Sequence, residues 1–200
     1  MVRLNVQHVL SAFVVVFTAC GVDVTPAATS QEALSSTACP LNVPAALVPP
    51  SDQELFRVFA AEGVQIYACT VTGWVFESPD ALLLKQERDD EGELNIVGHH
   101  FAGPTWEYKD RSYVVGVRVA GAPSTTPNSI PSLLLRAGSN SATGKFAQVS
   151  SIQRLDTVGG NAPTTGCDAT TLGVKARVPY TANYYFYRLA TGRPASPQCN

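Results

Sequence analysis

Short runs of β-branched and aromatic residues recur along this chain, and almost every run is closed by turn-forming residues. Val64-Gln65-Ile66-Tyr67, Trp74-Val75-Phe76 and Ala81-Leu82-Leu83-Leu84 come first, the last two flanking Ser78-Pro79-Asp80. Leu94 to Phe101 stops at Gly103-Pro104, and Thr105-Trp106-Glu107-Tyr108 and Tyr113 to Val119 flank Asp110-Arg111-Ser112. Ser132 to Arg136, Phe146 to Leu155, Lys175 to Val178 and Asn183 to Arg188 complete the series. Short extended segments at this spacing predict an all-β fold, a mostly antiparallel sandwich or partly closed barrel in one domain with long loops. Residues 51–69 are ambiguous, because Ser51 and Glu54 form a capping box before an apolar stretch. The alternation that follows favours a strand, with a bulge near Glu62-Gly63.

Of the 200 residues, 15% are charged and the net charge is −2, with no block of like sign. Nucleic-acid binding needs a basic footprint, and none is present. The acidic cluster Glu87, Asp89, Asp90, Glu91 and Glu93 lacks the alternating ligand pattern of a calcium loop and reads as a solvated hairpin tip. A core of this size needs no metal to fold, and the sequence calls for no cofactor.

The N-terminus carries an address. Arg3 precedes the apolar run Val9 to Phe17, which is too short to span a bilayer but suits a signal peptide over residues 1–19. Phe17-Thr18-Ala19-Cys20 resembles a bacterial lipobox, with Phe17 where Leu is usual; Cys20 would then be lipidated and hold the chain to a membrane. Gly21 after Cys20 favours the outer membrane where a cell has one. Cleavage without lipidation, giving a secreted protein, is the alternative. Residues 20–38 are small and polar and read as a tether ahead of a folded domain spanning 39–199.

Cys39, Cys69, Cys167 and Cys199 remain, none at zinc-site spacing. Export favours disulfides. Of three connectivities, the expected one is Cys39–Cys199, which would join the domain ends, with Cys69–Cys167, which would join two internal segments.

Five collinear segments together resemble the DUF3455 family of secreted proteins. They are Gly63 to Tyr67, His100 to Glu107, Ile130 to Leu135, Ile152 to Pro163 and Ala176 to Tyr187. The resemblance spans residues 45–188 and departs at Ser132, where many relatives carry Trp, and at Asp156, where many carry Asn. It implies a fold and export but no reaction. Some fungal relatives bear a malate dehydrogenase label, which this chain does not support, since it has no G-x-G-x-x-G before a helix.

The candidate chemistry is sparse. Neighbouring side chains on a strand point to opposite faces, so His99 and His100 cannot easily share a metal. His100 could face Glu107 across Gly103-Pro104. Gly138 to Lys145 imitates a phosphate loop but has one residue too many, and reads as a hairpin turn. No G-x-S-x-G elbow is present, and nothing fixes the separation of Glu107, Asp110 and Asp156 as a catalytic carboxylate pair. Tyr67, Trp74, Trp106, Tyr108 and Tyr184 to Tyr187 could line a groove, with Asp156 to Pro163 as its rim. The expectation is a module that binds a small molecule or glycan through His100, Trp106, Glu107, Arg154 and Asp156. An extracytoplasmic hydrolase, or a structural envelope protein, are the alternatives.

Overall fold

The structure is a computed structural model describing residues 39–88 and 94–192. The signal peptide and tether, the lipidation site Cys20, Cys199 and most of the acidic tip lie outside the described residues. Eight antiparallel strands close into a ring in sequence order: β1 (Gln53–Thr70), β2 (Gly73–Arg88), β3 (Leu94–Phe101), β4 (Thr105–Tyr108), β5 (Tyr113–Ala122), β6 (Ser132–Asn140), β7 (Ser151–Gly159) and β8 (Lys175–Leu189). β1 pairs with β2 on one side and β8 on the other, so among the described residues the first and last strands leave no open edge. The all-β, antiparallel expectation is met, and the ring is closed.

The capping-box reading of residues 51–54 fails because Glu54 has another partner. It lies opposite Arg188 on β8 and is 4% exposed. The Arg188 fork donates to Glu54 Oε1 from Nε and Nη2, each at 2.8 Å. A charge-assisted pair on a two-sided strand thus replaces a helix cap. The bulge in β1 falls at Phe56, against β8; the second register shift, opposite Ile66 and Tyr67, places its extra residue, Glu77, on β2, and neither is at Glu62-Gly63.

Two prolines hid the length of the strands. Pro79 does not turn the chain; it sits inside β2 opposite Gln65. The β2–β3 ladder begins only at Ala81, so Pro79 meets no neighbour on its other side. Pro179 lies within β8 opposite Val64, just past the Gly159–Tyr180 pair where β7 ends. Proline lacks an N–H and is tolerated where no ladder bond is needed. The segments read as pairs of short strands are therefore single long ones.

β8 shows how the ring sorts its side chains. Tyr180, Ala182, Tyr184 and Phe186 point inward and join Phe59, Leu83, Trp106 and Ile152 in the main core. Tyr185 and Tyr187 point outward yet are also buried, against Leu55, Val58 and Leu155. The chain around the 3₁₀ turn Ala45–Leu47 packs into this outer cluster. A buried polar chain pins it: Tyr187 Oη donates to Gln153 Oε1, and Gln153 Nε2 donates to the Leu47 carbonyl, both at 2.7 Å. These tyrosines consequently build no exposed groove.

The two ends of the ring differ. Every connection in an antiparallel meander reverses direction, so alternate connections gather at the same end. At one end lie 109–112 and 141–150. Phe146-Ala147-Gln148, expected as strand, belongs to a 3₁₀ turn, Lys145–Gln148. Gly144 enters it at φ 95°, and two side chains of the neighbouring turn cap it. Asp110 Oδ2 accepts from Lys145 N at 2.8 Å, and Ser112 Oγ accepts from Phe146 N at 2.9 Å. The turn drives Phe146, fully buried, onto Phe186 with ring centroids 4.6 Å apart, plugging that end. At the other end lie 71–72, 102–104, 123–131 and 160–174. Cys69–Cys167 is disulfide-bonded there, as expected, and clips the longest of these connections to the end of β1. Cys39 is disulfide-bonded as well.

Candidate functional site

An eight-stranded ring is just wide enough to be filled by side chains or to hold one small ligand. This one does both. Below Trp106 the interior is packed with phenylalanine; above it, at the unplugged end, a cavity of about 470 Å³ remains. Its wall is mostly apolar, including Phe76, Pro79, Ile130, Pro131, Leu133 and Leu135.

Strand register assembles the floor. His100 on β3 and Trp106 on β4 are direct cross-strand partners, and their rings stack with centroids 4.2 Å apart and planes 6° from parallel. Tyr184 meets both edge-on, 5.1 Å from His100 and 5.3 Å from Trp106. Gly116 makes room for this group, since a Cβ there would stand 2.8 Å from the Trp106 ring and 2.9 Å from Leu135. Gly160 holds φ 83° and nests against Gln65, Ile130 and Tyr180, and its carbonyl accepts from Tyr67 Oη at 2.7 Å. The Gly159-Gly160 segment thus backs Gln65, Ile130 and Tyr67, which line the cavity, and does not line it itself.

The polar groups are few and mostly donors. His100 Nδ1 lies 2.9 Å from the Thr105 carbonyl, which fixes Nδ1 as the protonated nitrogen and leaves Nε2 an acceptor. Burial drives the His100 pKa down to about 3, so the ring is neutral at ordinary pH. Trp106 Nε1 and Gln65 Nε2 are buried and make no hydrogen bond of normal geometry among the described residues, although the Gln65 side chain comes close enough to the Tyr180 phenol to oppose the rise of its pKa. Trp106 is 1% exposed and Gln65 2%.

Arg154 on β7 stands on the inner face between Leu133 and Tyr184, its partners on the flanking strands. Its Nε and Nη2 donate to the Pro131 carbonyl at 3.2 and 2.9 Å, and its side chain also reaches the Tyr184 phenol. Burial raises the phenol pKa of Tyr67, Tyr180 and Tyr184, and the Arg154 charge opposes that rise at all three. Arg118 adds a second cation at the rim, against Gly121.

Of the five residues expected in a site, the ring brings together His100, Trp106 and Arg154. Glu107 and Asp156 stand apart. Glu107 opposes His99, not His100, and pairs with exposed Arg111 at 3.3 Å. Asp156 is exposed at φ 51° and accepts from Asn183 Nδ2 at 2.9 Å. Asp110 is engaged by the plug, so none of the three carboxylates lines the cavity. Trp74 is also elsewhere, its Nε1 donating to the Thr165 carbonyl at 2.9 Å. Gln65, Tyr67, Arg118 and Tyr184 were not singled out together as a site. Their signal was Gln65 and Tyr67 at i and i+2 on one strand, a polar residue on an otherwise apolar inner face. No group of three potential metal ligands occurs among the described residues.

The profile of a family described as "Protein of unknown function (DUF3455)" matches residues 50–188, and the chain belongs to that family. No curated protein and no solved structure matches it.

Proposed function

We propose that this DUF3455 member is an exported, lipid-anchored binding module that holds a small, largely apolar molecule in the open end of its ring. The observation that carries the reading is an apolar cavity of about 470 Å³ at the open end of the ring, with the buried, partnerless indole N–H of Trp106 in its floor. A buried donor without an acceptor costs on the order of 1–3 kcal/mol, a cost that a bound acceptor removes. The volume falls within the usual range for small-molecule sites, and a glycan would demand more polar partners than this wall offers. Export and anchoring rest on the apolar run Val9 to Phe17 and on Cys20 with the tether behind it.

The neutral fluorophore N-phenyl-1-naphthylamine tests the cavity directly, because it brightens in apolar surroundings. Purified, lipid-free protein should bind it at one site and saturably. Leu133→Trp, which crowds the half-buried mouth, should weaken binding at least about tenfold. No saturable binding by the wild type, or equal binding by Leu133→Trp, contradicts the reading.

A further inference from the structure

We infer that the group this cavity receives at Arg154 is a carboxylate, so that the preferred ligand is a small organic acid with an apolar body. The inference rests on the binding reading above and adds the headgroup to it.

The argument is one of uncompensated charge. The whole chain carries a net negative charge, yet the cavity is lined by two arginines and by no aspartate or glutamate. The four ion pairs among the described residues, Arg111–Glu107, Lys175–Glu77, Arg177–Asp80 and Arg188–Glu54, do not include Arg154. Instead, Arg154 is held in place by a neutral carbonyl, Pro131 O, which orients the guanidinium without cancelling its charge. A guanidinium fixed beside apolar walls loses hydration and regains it from an anion; its planar fork matches a carboxylate best. Two of the remaining polar groups agree. Trp106 Nε1 and Gln65 Nε2 can only donate, and a carboxylate only accepts.

The opposite sign of ligand is disfavoured for the same reason. An amine would meet Arg154 and Arg118 with no carboxylate on the cavity wall to receive it. An alcohol would satisfy one donor and leave the Arg154 charge unanswered.

Competition against bound N-phenyl-1-naphthylamine separates these ligands, using decanoate, decanol and decylamine at pH 7, which share one apolar chain. The wild type should release the probe to decanoate at concentrations at least about tenfold below those needed for decanol, with decylamine weakest. Arg154→Gln should bring decanoate to within about twofold of decanol, each referred to that variant's own fluorophore affinity, and Arg154→Lys should keep part of the preference. Decanol or decylamine competing as well as decanoate in the wild type overturns the carboxylate assignment, as does an undiminished preference in Arg154→Gln. In either case saturable fluorophore binding leaves the cavity reading standing, whereas failure of the fluorophore itself removes both. The wild-type comparison needs no variant, so a folding defect at position 154 does not blunt the test.

Discussion

His100 and Trp106 face each other across β3 and β4 as a stacked pair, and the imidazole of that pair is buried and neutral. A histidine in this setting ties the fold to pH. Its folded pKa, about 3, lies below the ordinary 6.5, so beneath about pH 6.5 the unfolded chain takes up a proton that the folded one refuses. Stability is full above that point and falls as the pH drops toward 3. Between pH 6.5 and 5, above the carboxylate range, unfolding free energy should fall by up to roughly 2 kcal/mol. His100→Gln, which keeps a donor for the Thr105 carbonyl but does not titrate, should flatten that slope. Urea melts of both proteins at the two pH values check it.

The plugged end should behave independently of the cavity. Phe146 is fully buried between Phe186, Phe59 and Tyr108. Phe146→Ala should cost about 3–5 kcal/mol, as expected for a large aromatic removed from a packed core. Fluorophore affinity per folded molecule should change less than about twofold. A denaturant melt and a titration of the same variant test both halves of the statement.

The Cys69–Cys167 bridge closes a long loop, its cysteines 98 residues apart. Breaking it with Cys167→Ser should lower stability by up to about 4–5 kcal/mol on chain-entropy grounds. The 160–174 connection should then become the preferred site of limited proteolysis, because the bridge fastens it to β1. Fragment masses after brief digestion would locate the cut.

Anchoring depends on Cys20 alone in this account. Cys20→Ala should move the protein from the membrane fraction to the soluble extracytoplasmic fraction, and incorporation of labelled palmitate should cease. Fractionation and labelling of wild type and variant check the two outcomes.

Much of the ring was legible in the residues. Alternation along Tyr184 to Tyr187 announced a two-sided strand, and the turn residues at Gly103-Pro104 and Asp110-Arg111-Ser112 marked real connections. Strand length was not legible, because Pro79 and Pro179 read as breaks when each sits where its missing N–H costs nothing. Phe146 was hidden differently: its alternation continues smoothly into β7, and only the capping by Asp110 and Ser112, far away in sequence, makes it a plug. For the site, Trp106 and Glu107 are adjacent on β4 and cannot both face inward, a constraint the sequence already contained. Arg154 joins Trp106 and His100 only because the ring closes, and closure is a property of the whole sheet rather than of any segment.

With only Trp74 and Trp106 in the chain, the indole N–H signals of a ¹⁵N–¹H spectrum report the cavity floor directly. Trp74 Nε1 already donates to the Thr165 carbonyl, whereas Trp106 Nε1 has no partner among the described residues. Trp106→Phe assigns the two signals. Saturating decanoate should move the Trp106 signal downfield as its N–H gains an acceptor, and leave the Trp74 signal in place. A Trp106 signal unmoved by both decanoate and the neutral fluorophore would contradict a ligand site in this ring.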